Sequence, residues 1–287
     1  MRFDYYAATI SAPPLEVVNV LLDKLGADDY RQSKGLHGYQ AKFDLVDGEH
    51  QVMARVLGGG INPNPNAWAE GERTAQFVDV VREVWPKQHR VTRFDTCLDF
   101  DAPGAFERLL PLVMTVQQDH GINWRPVGFP PEGVELGPDT GRTVYLGSPK
   151  SPVMVRFYEK GKQLRSKGGP EVDAISRDWV RLEVQARPHK EMKIYAASKK
   201  PEDVWRFSRW SKDLAERVLE VDLPKLDTNF RTPTDDARAF FYLIQQYGPL
   251  LKRLKDKEGT WANVGHRIGR AIAVHEQALA RNARAPT

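Results

Sequence analysis

The chain has 287 residues, 41% of them hydrophobic and 28% charged, which excludes a disordered polymer and allows one large domain or a domain with an appendage. Its single cysteine, Cys97, excludes an internal disulfide, and no apolar run approaches the ~18 residues that span a bilayer. Net charge is +4, but fourteen Lys/Arg face only six Asp/Glu between Arg142 and Lys200, a local excess that suggests a polyanionic partner. The opening Met1-Arg2-Phe3-Asp4-Tyr5-Tyr6 lacks the basic-then-apolar pattern of a secretory signal, so the expected compartment is the cytoplasm, with no membrane partner.

In chain order, Phe3–Ile10 alternates weakly and is expected as an edge or opening strand, ended by Pro13-Pro14. Leu15–Leu25 carries a helical apolar stripe closed by Gly26. Gly38–Asp44 and Gln51–Leu57 pair across the Asp47-Gly48 turn. Gly58–Asn66 is expected as a loop, and it lacks the Lys and Ser/Thr of a nucleoside triphosphate cradle. Glu72–Trp85 and Phe106–His120 are helices, the second with an awkward Pro111, and Val91–Asp101 is the strand between them. Trp124–Thr140 is a loop or short hairpin. Thr143–Leu146, a strand over Val153–Lys160, a basic connection over Gly161–Gly169 and a strand over Trp179–Arg187 follow. After Pro188 the pattern turns helical over Pro201–Leu219, Asp235–Lys257 and Trp261–Asn282.

This order predicts an α+β fold: an antiparallel sheet with helices packed on one side, and a C-terminal helical region. A linker-like stretch near residue 225 divides it into a catalytic domain over 1–225 and a helical appendage over 226–287.

Three strands carry the chemistry. Period-two alternation puts Arg93, Asp95, Asp99 and Asp101 on one face of the first. It aligns Arg156, Tyr158 and Lys160 on the second, and Arg181, Glu183, Gln185 and Arg187 on the third. If the three share one sheet, carboxylates, cations and a tyrosine meet on its polar face. A phenol attacks a phosphodiester only when its oxyanion is stabilised, and Arg156 and Lys160 beside Tyr158 are expected to favour the phenolate. Three carboxylates, Asp95, Asp99 and Glu183, would repel one another without a cation, and hard oxygen ligands suit Mg2+ or Mn2+. The residues leave open which of Asp95 and Asp99 is the direct ligand. The seven histidines are scattered and form no ligand pair.

Four stretches together, Thr92–Phe100, Arg142–Ser148, Val155–Gly161 and Val180–Arg187, resemble the Rep_trans replication initiation factors of rolling-circle plasmids and filamentous phages. The resemblance implies a metal-dependent nickase and strand transferase that opens one strand at a replication origin. Tyr158 would then become linked to the 5′ phosphate and leave a 3′ hydroxyl as primer. Arg156, Lys160 and Arg181 are the candidate catalytic cations, and Asp95 or Asp99 with Glu183 the metal ligands. Arg142, Tyr145, Lys162, Arg165, Lys167 and Arg187 are the candidate DNA-binding residues. Implied partners are double- and single-stranded origin DNA, a second copy of the chain and a host helicase.

Tyr145 is the rival nucleophile. The rival functions are a non-enzymatic DNA-binding regulator of the same fold and a metal nuclease that uses water. The helix over Trp261–Asn282 and the Gly161–Gly169 connection are both candidates for reading the duplex.

Overall fold

A computed structural model describes residues 1–131, 137–168, 172–220, 247–248 and 250–282, with side chains described through 273. The chain forms two compact units, Met1–Leu226 and Asp227–Thr287. In the second, residues 250–258 are helical and a helix spans Trp261–Asn282. The expected helix over Asp235–Lys257 lies largely outside the described residues. No helix among the described residues is long and apolar enough to cross a membrane.

Among the described residues the first unit holds ten strands: β1 Arg2–Ile10, β2 Asp29–Lys34, β3 Tyr39–Val46, β4 Val52–Gly60, β5 Asn66–Glu70, β6 His89–Asp101, β7 Trp124–Val127, β8 Thr143–Leu146, β9 Val153–Tyr158 and β10 Trp179–Ala186. They form one sheet in the order β2-β3-β4-β5-β1-β6-β10-β9-β8-β7, every neighbouring pair antiparallel. The helices are α1 Pro14–Leu25, α2 Thr74–Val84, α3 Ala105–Asp119, α4 Lys160–Arg165, α5 Met192–Ala196, α6 Pro201–Val204 and α7 Arg209–Leu219. This is the α+β design expected from the sequence.

The apolar core lies between one sheet face and the helices. Tyr6, Phe94, Phe157 and Leu182 from the strands meet Leu21, Phe77, Phe106, Val113 and Trp205, all essentially buried. Behind the tyrosine strand, the Phe157 ring stacks on Phe106 at a centroid distance of 4.6 Å and an interplanar angle of 14°. That stack fixes β9 against α3.

Several local expectations are corrected. β1 is central, between β5 and β6, not an edge. Its alternation is weak because Tyr6, Ala7 and Ala8 are buried on both faces. The loop expected over Gly58–Asn66 is confined to residues 61–65: β4 runs on to Gly60, and β5 starts at Asn66. Gly58 lets β4 pass close under α1, since a Cβ there would stand 2.5 Å from that of Pro14. The tyrosine strand ends at Tyr158, so Lys160 belongs to the first turn of α4, and the basic connection is partly helical. β2, exposed along its whole length, has no apolar alternation to announce it. Pro201–Leu219 is broken at Ser208, whose extended backbone and hydroxyl cap α7 through the amide of Ser211 at 3.1 Å.

Phe157→Ala is expected to cost about 3–5 kcal/mol of unfolding free energy, because it removes a ring from the tight stack beneath Tyr158. Urea denaturation monitored by circular dichroism measures it.

Candidate active site

The sheet register assembles the polar face. Across β6 and β10, Arg181 stands opposite Asp99, Glu183 opposite Cys97 and Gln185 opposite Asp95. Across β10 and β9, Arg181 faces Tyr158 and Glu183 faces Arg156. Side chains directly opposite on antiparallel strands share a face, so the three strands singled out from the sequence do bring their ionisable residues together.

A fourth strand joins them. β1 carries an irregularity between Phe3 and Tyr5. Phe3 and Tyr6 both enter the core, and the two residues between them, Asp4 and Tyr5, line the polar side. A bulge is the ordinary means of turning an extra side chain toward a site. It also hides Asp4 and Tyr5 from a period-two reading, so the sequence analysis missed them. The only available signal was the break in alternation at Phe3-Asp4-Tyr5-Tyr6.

These side chains line a cavity of about 560 Å³, whose walls include Arg2, Asp4, Tyr5, Arg93, Asp95, Arg156, Tyr158, Lys160, Lys167, Arg181 and Glu183. A larger groove of about 820 Å³ lies by Pro14, Phe43 and Gly58, but Lys34 is the sole ionisable residue among its described lining. The ionisable groups are gathered in the smaller one.

Each carboxylate has its guanidinium. Arg181 donates to Asp99 at 2.7 and 3.0 Å and to Asp4 at 2.9 Å, and Trp179 adds an indole N–H to Asp99 at 2.8 Å. Arg93 grips both oxygens of Asp95, and Arg156 pairs with Glu183. Asp95 is wholly buried and Glu183 is 2% exposed, so these are not the solvated face carboxylates that alternation alone suggests. The repulsion that the sequence analysis assigned to a cation is met first by arginine.

Burial pushes Asp95 up to about 7, aided by the Glu183 charge and opposed by Arg93. Burial works against the Asp99 charge too, but the bonds from Arg181 and Trp179 hold it below the usual carboxylate range. Tyr158 is 6% exposed, and its hydroxyl donates to Glu183 Oε2 at 3.4 Å. Burial, followed by the Glu183 charge, raises the phenol well above its ordinary value despite Arg181 and Arg156. This reverses the expected stabilised phenolate: the resting tyrosine is protonated. Burial drives Cys97 up to about 12, which leaves no thiolate to compete as nucleophile.

Asp95 and Asp99 stand four residues apart on one strand, a spacing of roughly 13 Å, so one ion cannot take both. Among the described residues no three His, Cys, Asp or Glu side chains form a metal-holding group. The Glu183 charge acts on Asp95 and does not figure among the influences on Asp99. Were a Mg2+-type ion to bind here, Asp95 and Glu183 would be the two carboxylates to hold it, together with water and substrate phosphate. The donor set fits as an open pair, not as a trio.

The other candidates separate by position. Lys160, its ammonium 5.8 Å from the Tyr158 ring centre, and Lys167 line the cavity. Tyr145 lies opposite Arg156 on the same face. Arg187 donates to the Pro149 carbonyl at 2.7 Å. Arg142 binds Glu159 at 2.8 Å and Glu107 at 2.6 Å over the Phe106 ring, on the helix side of the sheet. Lys162 joins it on Glu159 at 2.9 Å. Arg165 is tied to Asp139 and to the carbonyls of Val172 and Ile175. Asp101 is exposed at the end of β6.

Arg181→Ala is expected to cost about 1–3 kcal/mol, because Asp4 and Asp99 lose their closest donor and keep only Arg2, at 3.9 and 3.6 Å, as shared counter-charge; chemical denaturation tests it. Asp95 gives a pH signature. Its folded-state value lies above the unfolded one, so the folded state holds the proton more tightly and its contribution to stability falls as pH rises from about 4 to about 7. The melting temperature of Asp95→Asn relative to the native chain should therefore move in the variant's favour between about pH 5 and about pH 7.5, then level off.

Residues 90–207 match the family model described as Rep_trans, replication initiation factor. That segment spans β6 through the turn after α6 and holds all three motif strands. Among solved structures, the rolling circle replication initiator protein from Geobacillus stearothermophilus is similar with a TM-score of 0.50 and 18% identity, over 80% of this chain and 88% of that one. At that identity the likeness establishes a shared fold. No curated protein sequence matches the chain.

Proposed function

We propose that this chain, whose residues 90–207 form a replication-initiation-factor region, starts rolling-circle replication by nicking one origin strand with Tyr158. The observation that carries the reading is the Tyr158 hydroxyl directed at the Glu183 carboxylate inside a cavity walled by Arg156, Arg181 and Lys160.

The phenolic oxygen attacks the scissile phosphorus, and its proton passes to Glu183. The phosphorus–oxygen bond to the 3′ carbon's oxygen breaks, and that oxygen leaves as the 3′ hydroxyl, taking the proton that Glu183 received. The chain keeps the 5′ phosphate as a tyrosine ester, whose stored bond energy allows rejoining without a nucleoside triphosphate. A protonated resting tyrosine suits this sequence, because the nucleophile is unmasked only when a phosphate enters and the cavity cations turn to it. Arg156, Arg181 and Lys160 balance charge on the phosphoryl oxygens. A magnesium or manganese ion, when bound, would neutralise further charge on that phosphate, with Asp95 and Glu183 as the residues that hold it.

Single- and double-stranded origin DNA are the partners this reading requires. Lys160, Lys167 and Tyr145 have the positions of strand-contacting residues. Arg142, Lys162 and Arg165 would act by holding β8, β9 and α4 in place. A second copy of the chain and a host helicase follow from the family resemblance alone.

Incubating the chain with origin-bearing single-stranded DNA and Mn2+ should give a protein–DNA adduct that survives denaturation and disappears in Tyr158→Phe. Cleavage that persists in Tyr158→Phe without an adduct would instead establish a water-using nuclease. Metal binding has its own readout. Mn2+ should raise the melting temperature more near pH 7.5 than near pH 5.5, since proton and ion compete for Asp95, and Asp95→Asn should abolish the difference.

A further inference from the structure

The geometry points to a nucleobase-stacking subsite formed by Tyr145 and Arg125, which receives one base of the single strand that reaches Tyr158. The inference rests on the nicking reading above and adds to it a seat for a base beside the reacting phosphate.

Tyr145 on β8 is opposite Arg156 on β9 and opposite Arg125 on β7. These three therefore continue the row that runs through Glu183 and Cys97, on the cavity side of the sheet. Their strand neighbours Trp124, Pro126 and Val144 face the other way, toward Leu110 and Met114 of α3. The Arg125 guanidinium lies 4.3 Å from the centre of the Tyr145 ring, with Tyr145 partly exposed and Arg125 exposed.

Two features separate this pair from the rest of the face. Arg93, Arg156 and Arg181 are each consumed by a carboxylate. Arg125 has no carboxylate or hydrogen-bond partner among the described residues, so its charge and plane are committed only to the tyrosine ring. The pair also stands at the right place. Thr143 is opposite Tyr158, which makes Tyr145 the diagonal neighbour of the nucleophile, roughly 7–8 Å away between Cα atoms. β7 is the last strand of the sheet among the described residues, so a strand crossing Tyr145 and Arg125 leaves past the sheet's edge strand.

A flat ring backed by a guanidinium is sequence-tolerant, because every base offers a π face, while the cation also attracts the adjoining phosphate. The ligand class is thus a single-stranded nucleotide next to the scissile one, held by stacking and not by base-edge recognition.

The test is fluorescence anisotropy of origin-strand oligonucleotides, each with one abasic position, against the full chain and its Arg125→Ala and Tyr145→Leu variants. Circular dichroism checks that the variants fold. One register near the nick should stand out. An abasic site there should weaken binding to the native chain about ten-fold and leave Tyr145→Leu unaffected, and Arg125→Ala should fall between. If Arg125→Ala lowers affinity and the salt dependence but no abasic position couples to Tyr145, the pair contacts phosphate only and the stacking subsite is overturned. Binding that is indifferent to both substitutions overturns it as well. Failure of the native chain to bind any single strand at low salt would overturn the nicking reading itself, which the adduct assay tests separately.

Discussion

The bond set of Arg181, to Asp99 at 2.7 Å and to Asp4 at 2.9 Å, ties β10 to β6 and β1 beside the Tyr158 ring. Its side chain is 3% exposed, so its own charge could not stand there unpaired. The neighbouring pairs, Arg93 with Asp95 and Arg156 with Glu183, repeat the arrangement toward the other end of the face. The sheet face is thereby made into a polar wall in which Asp4, Asp95, Asp99 and Glu183 each have a guanidinium.

In the proposed nicking reaction, this wall would let the tyrosine be both buried and reactive. A phenol held by burial in its protonated form does not react with passing electrophiles. Its hydroxyl still points at a carboxylate that can receive the proton, and guanidiniums stand where phosphate charge would develop. The helix side supports this from beneath: Phe157, one residue before the tyrosine, is clamped on Phe106, and Glu159, one residue after it, is clamped by Arg142. Tyr158 is therefore held between two anchored neighbours, the ordinary requirement for a group that must be placed closely.

The family model covers β6, β9 and β10 together with the elements that join them, which is also the stretch where the sequence resemblance was recognised. The fold class, the hairpin at Asp47-Gly48, the helices closed by Gly26 and Pro86, and the shared polar face of the three motif strands were all legible beforehand. Each rests on a local rule: period, turn chemistry or a helix stop. The errors also have local causes. β1 reads as an edge because burial on both faces removes alternation, and Gly58 reads as loop because close approach to Pro14 selects the same residue as a turn does.

By itself, then, the chain's order of residues determined which side chains share a strand face, because pleating makes alternate residues point the same way whatever they pair with. It could not determine which face is opposite which across strands, since register depends on partners distant in sequence, as Glu183 beside Arg156 and Asp99 beside Arg181 do. Nor could it reveal Asp4 and Tyr5, which a bulge turns toward the site, or the protonated state of Tyr158. That last property belongs to burial: flanking cations predict a phenolate in water, and only the packed structure removes the water.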